Sequence, residues 1–213
     1  MTALAINIAF NTAYKIETER LLMRCWSPED APKLRAALDE SDQHLRPWIP
    51  WMKDEPKSLD ETAAWLRAKR ANFDLGKDFW FVIFDNKDQS LIGEIGLMTR
   101  AGPGAREVGY WINKSSEGKG YASEATAAVI RVAFEIDEVE RIELYCAPEN
   151  EPSAAIPKKM GFLHEATLAG RYKDSEGEVH DSMVWTLFAD AYPNSVAKSH
   201  QLNVFDCMGR KIL

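Results

Sequence analysis

The segment SSEGKGYASEA (Ser115–Ala125) places two glycines one residue apart, immediately before a stretch with helical spacing of apolar residues. At the start of a helix, unpaired main-chain N–H groups and the helix dipole converge, and together they suit a phosphate group. Gly118 and Gly120 lack side chains, so their backbone can approach an anion closely, although a plain turn is the alternative interpretation. A nucleoside-triphosphate P-loop is excluded because no Gly-Lys-Ser/Thr closes the pattern, and the dinucleotide fingerprint fails because no third glycine opens the helix.

The pattern around this segment predicts an α+β fold with a mixed sheet. The predicted order is one strand, two helices, three antiparallel strands, a helix, a strand, a helix and two strands. The strand-like runs REVGYWIN and ERIELYCAP flank the predicted helix SEATAAVIRVAFEID, so they form a parallel pair joined by a right-handed crossover. That crossover puts the glycine pair at the end of a strand and the start of a helix.

Capping signals and prolines predict the element boundaries. Ser27 marks the start of the first helix, which is expected to run to about Glu40, and Ser58 opens the second helix with a capping box. The segment HLRPWIPWM that lies between them contains two prolines and is predicted to be an ordered loop or a broken helix. Residues 1–192 are predicted to form a single domain, and residues 193–213 a loosely ordered C-terminal tail.

Composition and charge narrow the class of function. The 213 residues are 46% hydrophobic and 28% charged, which is typical of a globular protein. The net charge of −7 argues against general nucleic-acid binding, which needs a basic face. No apolar run approaches the roughly 20 residues that span a bilayer, and MTALAINIAF has no leading Lys or Arg, so it is interpreted as a mature N-terminus. Three scattered cysteines and four isolated histidines predict neither disulfides nor a metal site, and they favour a cytoplasmic protein.

The stretch EGKGYA (Glu117–Ala122) resembles the Q/R-x-x-G-x-G/A segment with which the GNAT N-acetyltransferases hold the pyrophosphate of acetyl-coenzyme A. The resemblance continues in chain order through TERLLMR, HLRPWIPW, LIGEIGL, EVGYWI, GKGYASEA, N-x-x-S (150–153) and KKMGF, and it points to the ribosomal-protein-alanine acetyltransferase branch, the RimJ/RimL type. It covers about Ile16 to Tyr192. It implies the GNAT fold, a mixed, mostly antiparallel twisted sheet of about seven strands flanked by about four helices.

The resemblance implies acetyl-coenzyme A as the cofactor, no metal, and a set of cofactor contacts. The residues expected to contact the cofactor are Tyr110, Trp111, Ile112, Glu117, Gly118, Lys119, Gly120, Tyr121, Ala122, Ser123, Asn150 and Ser153. Two residues depart from the family pattern. Glu117 stands where Gln or Arg is usual, and its carboxylate is expected to turn to solvent while its N–H binds. Pro157 stands where many relatives carry a tyrosine acid, and it is expected in the first turn of its helix or just beyond.

The implied reaction is direct attack of a neutral amine on the thioester carbonyl, which needs a base, donors for the developing oxyanion and a proton for the leaving thiolate. The N–H donors are expected from the EVGYWI strand. Glu107 is the leading candidate base and Glu94 the second; for each, the alternative is a solvated carboxylate on a half-exposed strand. Ser153 is the predicted proton donor to the sulfur, with Asn150 beside it. The alternatives are a helix N-cap for Ser153 and an Asx turn for Asn150.

The segment HLRPWIPWM is a candidate for the part of the site that faces the acceptor amine. Trp48 and Trp51 could form an acceptor wall, or a structural plug, since tryptophan in a small domain is usually core. The predicted acceptor is the N-terminal α-amine of a protein such as a ribosomal protein. The alternatives are a small-molecule amine (an amino acid, antibiotic or aminoacyl conjugate) and a coenzyme A-binding module with little turnover. The predicted partners are acetyl-coenzyme A and the amine acceptor, with neither nucleic acid nor membrane, and the chain is expected to be a monomer or homodimer.

Overall fold

A computed structural model describes residues 12–87 and 89–213, so the opening segment MTALAINIAF lies outside the described residues. The strands are β1 (Lys15–Glu17), β2 (Leu21–Cys25), β3 (Asp78–Asp85), β4 (Leu91–Met98), β5 (Ala105–Ile112), β6 (Arg141–Cys146), β7 (Leu163–Lys173), β8 (Val179–Phe188) and β9 (Asn203–Phe205). The α-helices are α1 (Ala31–Leu45), α2 (Leu59–Asp74), α3 (Tyr121–Glu135) and α4 (Glu151–Met160). None of these helices has the length and apolarity needed to cross a lipid bilayer.

Within the described residues, the strands form one sheet in the order β7-β8-β6-β5-β4-β3-β2-β1-β9. All neighbouring strands are antiparallel except β5 and β6, which run parallel and are connected through α3. The predicted α+β fold with a mixed, mostly antiparallel sheet is therefore confirmed, as is the parallel crossover that carries the glycine pair.

Helices cover both faces of the sheet and form two buried clusters. On one face, Leu66 of α2 packs in a cluster with Trp111 of β5. On the other face, Val129 of α3 and Ile156 of α4 belong to a cluster that includes Val108 of β5. Because side chains alternate along a strand, neighbouring residues of β5 reach different faces of the sheet.

The boundaries near the first helix differ from the prediction. Ser27 precedes a short 3-10 helix, and α1 itself runs from Ala31 to Leu45, beyond the expected end at Glu40. After α1, a second 3-10 helix (Pro50–Asp54) begins within HLRPWIPWM and runs past the end of that segment. The segment is thus a broken helix, as its prolines indicate, because proline removes a helical donor.

Residues 193–213 pack onto the domain, where the sequence predicts a loosely ordered tail. β9 pairs with β1, and Val204 and Ala197 are fully buried. Tyr192 stacks on Phe134 with ring centroids 4.6 Å apart. The tail was not recognised because a three-residue strand and single turns are too short to show a hydrophobic period. The same short strands, β1 and β9, raise the number of strands in the described chain from the expected seven or so to nine.

Candidate active site

A cavity of about 1270 Å³ opens where β5 and β6 separate. Its walls are the second half of β5, the first turns of α3 and α4, the end of α1 with the 3-10 helix after it, and part of β7. The predicted site residues that line it are Trp48, Trp51, Glu94, Glu107, Tyr110, Trp111, Ile112, Glu117, Gly118, Gly120, Tyr121, Ala122, Ser123, Asn150 and Ser153. Lys119 does not line it.

The separation of the two strands turns main-chain groups of β5 toward the cavity. Pairing with β6 ends at Val108, whereas β5 continues to Ile112 beside β4 alone. Just beyond, the N–H of Asn113 donates to the carbonyl of Ile92 at 2.7 Å. Bonded positions alternate along an antiparallel pair, so the N–H groups of Tyr110 and Ile112 point to the side that β6 has left. These groups can donate to a carbonyl oxygen in the cavity.

The glycine loop presents bare N–H groups at the start of α3. Gly118 and Gly120 have φ angles of +70° and +79°, in the left-handed region that favours glycine. No side chain caps α3, and among the described residues no group accepts from the main-chain N–H groups of residues 118–123. A Cβ on Gly118 would meet no atom within 4 Å, so the loop borders open space. Unpaired donors at the positive end of a helix dipole fit the diphosphate of coenzyme A.

Arg20, which the sequence pattern did not mark, holds this loop in place. Its guanidinium donates to the carbonyl of Lys119 at 2.9 Å and to the carboxylate of Glu124 at 2.6 Å, and it lies 4.7 Å above the ring of Tyr121. Thr18 donates to the same buried carboxylate at 2.5 Å. The sequence does carry one signal of this contact. Glu124 is a carboxylate in the first turn of the apolar helix α3, and a buried charge requires hydrogen-bond donors.

The carboxylate of Glu117 turns to two basic side chains instead of solvent alone. Lys114 Nζ lies 2.6 Å from one oxygen and His44 Nε2 lies 3.1 Å from the other. Burial lowers the pKa of His44 below its ordinary value, against the opposing effect of the Glu117 carboxylate. The ammonium of Lys119 donates to the carbonyl of Ser115 at 2.8 Å. The ion pair with Lys114 therefore compensates the negative charge that Glu117 brings to the loop.

Asn150, not Ser153, caps α4. The side-chain oxygen of Asn150 accepts from the N–H of Ser153 at 3.2 Å, so the cap interpretation belongs to Asn150 and the hydroxyl of Ser153 is not used for it. That hydroxyl lies 3.2 Å from the hydroxyl of Tyr110. Pro157 lies inside α4, at the end of its second turn, which is deeper in the helix than the sequence suggests.

The carboxylate of Glu94 is buried and fully engaged, with 2% of the residue exposed. It accepts from the indole nitrogens of Trp26 and Trp111 and pairs with the ammonium of Lys69. Lys69 lies 4.4 Å above the ring of Trp80, and burial lowers the pKa of Lys69 below its ordinary value. Glu94 is therefore not a solvated carboxylate, and its place is that of an anchor beneath the acceptor side.

Glu107 borders the cavity and forms a two-pronged ion pair with Arg100. The Nε of Arg100 donates to one carboxylate oxygen at 2.6 Å and a terminal nitrogen donates to the other. The side chain of Arg100 is 66% exposed, whereas only 9% of Glu107 is exposed. By strand alternation the Glu107 side chain lies on the same face of the sheet as Trp111. The carboxylate thus faces the acceptor side with a partner that solvent can reach.

Trp48 and Trp51 are half-buried and line the cavity, so the acceptor wall stays a prediction beside the structural plug. Trp51 packs against Trp65 of α2 with ring centroids 5.3 Å apart. The hydroxyl of Ser175 in the β7–β8 turn donates to the carbonyl of Arg46 at 2.9 Å, so this turn contacts the segment that carries the two tryptophans.

A sequence profile of the acetyltransferase (GNAT) domain matches residues 20–163, from β2 to the start of β7. The chain is 32% identical over 175 residues to the "Putative ribosomal N-acetyltransferase YdaF" of Bacillus subtilis (strain 168), covering 79% of this chain and 91% of that protein. It is 28% identical over 176 residues to the [ribosomal protein uS5]-alanine N-acetyltransferase of Escherichia coli (strain K12), covering 81% and 90%.

A solved structure of RimL, a ribosomal L7/L12 α-N-protein acetyltransferase, in complex with coenzyme A has a similar architecture. The TM-score is 0.74 with 19% identity, over 82% of this chain and 97% of that one. At this identity the likeness shows the fold alone. The RimL structure also shows that one protein with this fold binds coenzyme A.

Proposed function

Because this chain belongs to the GNAT acetyltransferase family, we propose that it transfers the acetyl group of acetyl-coenzyme A to the N-terminal α-amine of a protein, such as a ribosomal protein. Two relatives that match most of the chain are named as ribosomal or ribosomal-protein N-acetyltransferases, which supports this acceptor. A cytoplasmic location belongs to the proposal, because three free thiols suit a reducing compartment.

The acyl donor is held by main-chain groups. The N–H groups of residues 118–123 bind its diphosphate, and Asn150 with the edge of β5 contacts the arm that carries the thiol. The donor supplies an acetyl group as a thioester, which is activated toward attack by a neutral amine. The N–H of Tyr110 donates to the thioester oxygen and stabilises the negative charge that develops there.

The observation that carries the proposal is that the two proton-transferring groups lie on opposite sides of β5. The side chain of Glu107 is on the face of Trp111, whereas the side chain of Tyr110 is on the other face and meets Ser153. An amine that enters past Trp48 meets the carboxylate on one side of the acyl group. The sulfur leaves on the other side, toward the hydroxyl of Ser153, which gives it a proton.

The free-energy cost of deprotonating the acceptor favours an α-amine over a lysine amine. An α-amine has a pKa of about 7.7–8.0 and a lysine amine one of about 10.4. Producing the neutral form at pH 7 therefore costs roughly 1.4 kcal/mol for an α-amine and about 4.6 kcal/mol for lysine. A carboxylate such as Glu107 can therefore deprotonate an α-amine far more easily than a lysine amine.

A matched pair of peptides tests the acceptor. One peptide has a free N-terminal alanine and an internal lysine, and the second has the same sequence with a blocked N-terminus. Thiol release and peptide mass are followed with acetyl-coenzyme A present. Acetylation of the free peptide alone supports the proposal, and acetylation of the blocked peptide contradicts it. Thiol release only with small amines would favour the small-molecule alternative, and binding of coenzyme A without turnover would favour the binding module.

The variant Glu107→Gln tests the base. It is expected to lower kcat by about 100-fold or more, because no other group on that side of the acyl group takes the proton of the amine. The control is Glu165→Gln on β7, whose carboxylate accepts from Thr186 outside the cavity, and it should behave as the wild type. A wild-type kcat in Glu107→Gln would remove Glu107 from the proposal and leave the acceptor assignment to the peptide pair.

A further inference from the structure

Pro157 leaves one carbonyl of α4 without its helical partner. In an α-helix the N–H of each residue donates to the carbonyl four residues earlier, so position 157 would serve Ser153. Proline has no N–H, and its ring presses against that same carbonyl. The helix nevertheless continues to Met160. The carbonyl of Ser153 therefore needs a donor from outside the helix.

The hydroxyl of Tyr110 is that donor. Its oxygen lies 3.2 Å from the carbonyl oxygen of Ser153 and also 3.2 Å from the Ser153 hydroxyl. Tyr110 belongs to β5, so this contact joins the strand that borders the acyl group to the helix on the sulfur side. Burial raises the pKa of Tyr110 above its ordinary value, and the phenol keeps its hydrogen at neutral pH.

The single phenol hydrogen has two possible acceptors, and the choice between them sets the direction of the serine hydroxyl. When Tyr110 donates to the carbonyl, the hydrogen of Ser153 can turn back to the phenol oxygen. When Tyr110 donates to the Ser153 hydroxyl, the serine hydrogen can turn into the cavity, which the neighbouring thiol of Cys146 also lines. The serine is then a stronger donor because hydrogen bonds in a chain polarise one another. Asn150 already caps the helix, so capping does not compete for the serine hydroxyl.

We propose that Tyr110 is a positioning residue that turns the hydroxyl of Ser153 toward the sulfur of the leaving coenzyme. The proposal rests on the proposed acetyl transfer. Pro157 is part of the same device, because its missing N–H leaves a carbonyl that holds the phenol beside the serine until the phenol hydrogen turns to the serine oxygen. Tyr110 acts through Ser153, so its side chain affects turnover without holding the coenzyme.

A double-mutant cycle with Ser153 tests the proposal. Tyr110→Phe should lower kcat about tenfold, less than loss of a whole proton donor, and leave the Kd of coenzyme A within about twofold of wild type. Tyr110→Phe/Ser153→Ala should be no slower than Ser153→Ala, because the phenol acts only through the serine. The control Tyr14→Phe loses a hydrogen bond of 3.1 Å to Asp74 outside the cavity, and it should keep the wild-type kcat.

Pro157→Ala separates positioning from packing. The new N–H at position 157 can donate to the carbonyl of Ser153 in place of the phenol. The melting temperature without coenzyme A should therefore fall less when Tyr110→Phe is made in P157A than when it is made in the wild type. The kcat of Y110F/P157A should stay low, because that N–H cannot orient the serine hydroxyl.

Three outcomes overturn the proposal while the wild-type enzyme remains active. They are a wild-type kcat for Y110F, recovery of kcat together with melting temperature in Y110F/P157A, and equal losses of melting temperature in both backgrounds. A wild-type protein that acetylates no acceptor overturns the proposed function and this proposal with it. The two failures are therefore distinguishable by the wild-type rate.

Discussion

Replacing Gly118 by alanine tests whether the bare main chain of the glycine loop binds the diphosphate. The chain offers a matched control in Gly209, because the φ angles are +70° for Gly118 and +74° for Gly209. A Cβ at either position would meet no protein atom within 4 Å. Gly118 borders the cavity, whereas Gly209 lies in the C-terminal segment beside β9 and does not. Both substitutions impose the same backbone cost, and only the first puts a methyl group into the cavity.

The loss of stability and the loss of affinity can be estimated separately. An L-residue in the left-handed conformation costs about 1–2 kcal/mol, so G118A and G209A should each lose about that much free energy of unfolding. The methyl group of G118A should also hold the diphosphate away from the N–H groups. A hydrogen bond to a charged group contributes about 1.5–3 kcal/mol, so losing one should raise the Kd of coenzyme A about 10- to 100-fold. G209A should bind as the wild type does.

Calorimetric titration with coenzyme A and urea unfolding without it measure the two quantities separately. Binding of coenzyme A by G118A within about twofold of the wild type, with the same loss of stability as G209A, would refute a role of the loop in diphosphate binding. An equal loss of affinity in G209A would also refute it, because backbone strain and not the loop would then be the cause.

Three further predictions follow from ion pairs. Arg20→Met removes the guanidinium that holds the glycine loop and should raise the Kd of coenzyme A about tenfold by calorimetry; an unchanged Kd would mean that the loop keeps its shape without it. Glu94→Gln leaves the buried ammonium of Lys69 without its counter-ion and should lower the free energy of unfolding in urea by about 3–5 kcal/mol. Its kcat should stay within about tenfold of the wild type where both proteins are folded, and a loss as large as that of Glu107→Gln would instead make Glu94 the base. Hydrogen bonding from Arg131 lowers the pKa of Glu135 from 4.5 to about 2, so the stability this carboxylate contributes is present above 4.5 and is lost as pH falls toward 2. Glu135→Gln should be less stable than the wild type at pH 7, and the difference should shrink through that window; a constant difference in acid unfolding would contradict it.

The central fold could be predicted because its elements are long enough to show a period. β3, β4 and β5 have eight residues each, and α3 has fifteen with apolar residues at helical spacing. β1 and β9 have three residues each and leave no periodic signal. The C-terminal segment was therefore expected to be loose, although its pairing with β1 closes one edge of the sheet.

The outline of the site could be predicted from residue types and order, but its hydrogen bonds could not. Gly118 and Gly120 identify the loop because only glycine adopts this backbone without strain. The contact between Arg20 and Glu124 joins residues 104 positions apart, so it depends on tertiary packing that no local pattern encodes. Ser153 was a reasonable N-cap by type, and only the observed start of α4 assigns the cap to Asn150.

A crystal structure of the protein with coenzyme A shows directly whether the glycine loop binds the diphosphate. We expect diphosphate oxygens within hydrogen-bond distance, about 2.7–3.2 Å, of main-chain nitrogens of residues 118–123, with the coenzyme sulfur beside the hydroxyl of Ser153. A diphosphate bound by side chains elsewhere, with these nitrogens facing only water, would contradict it.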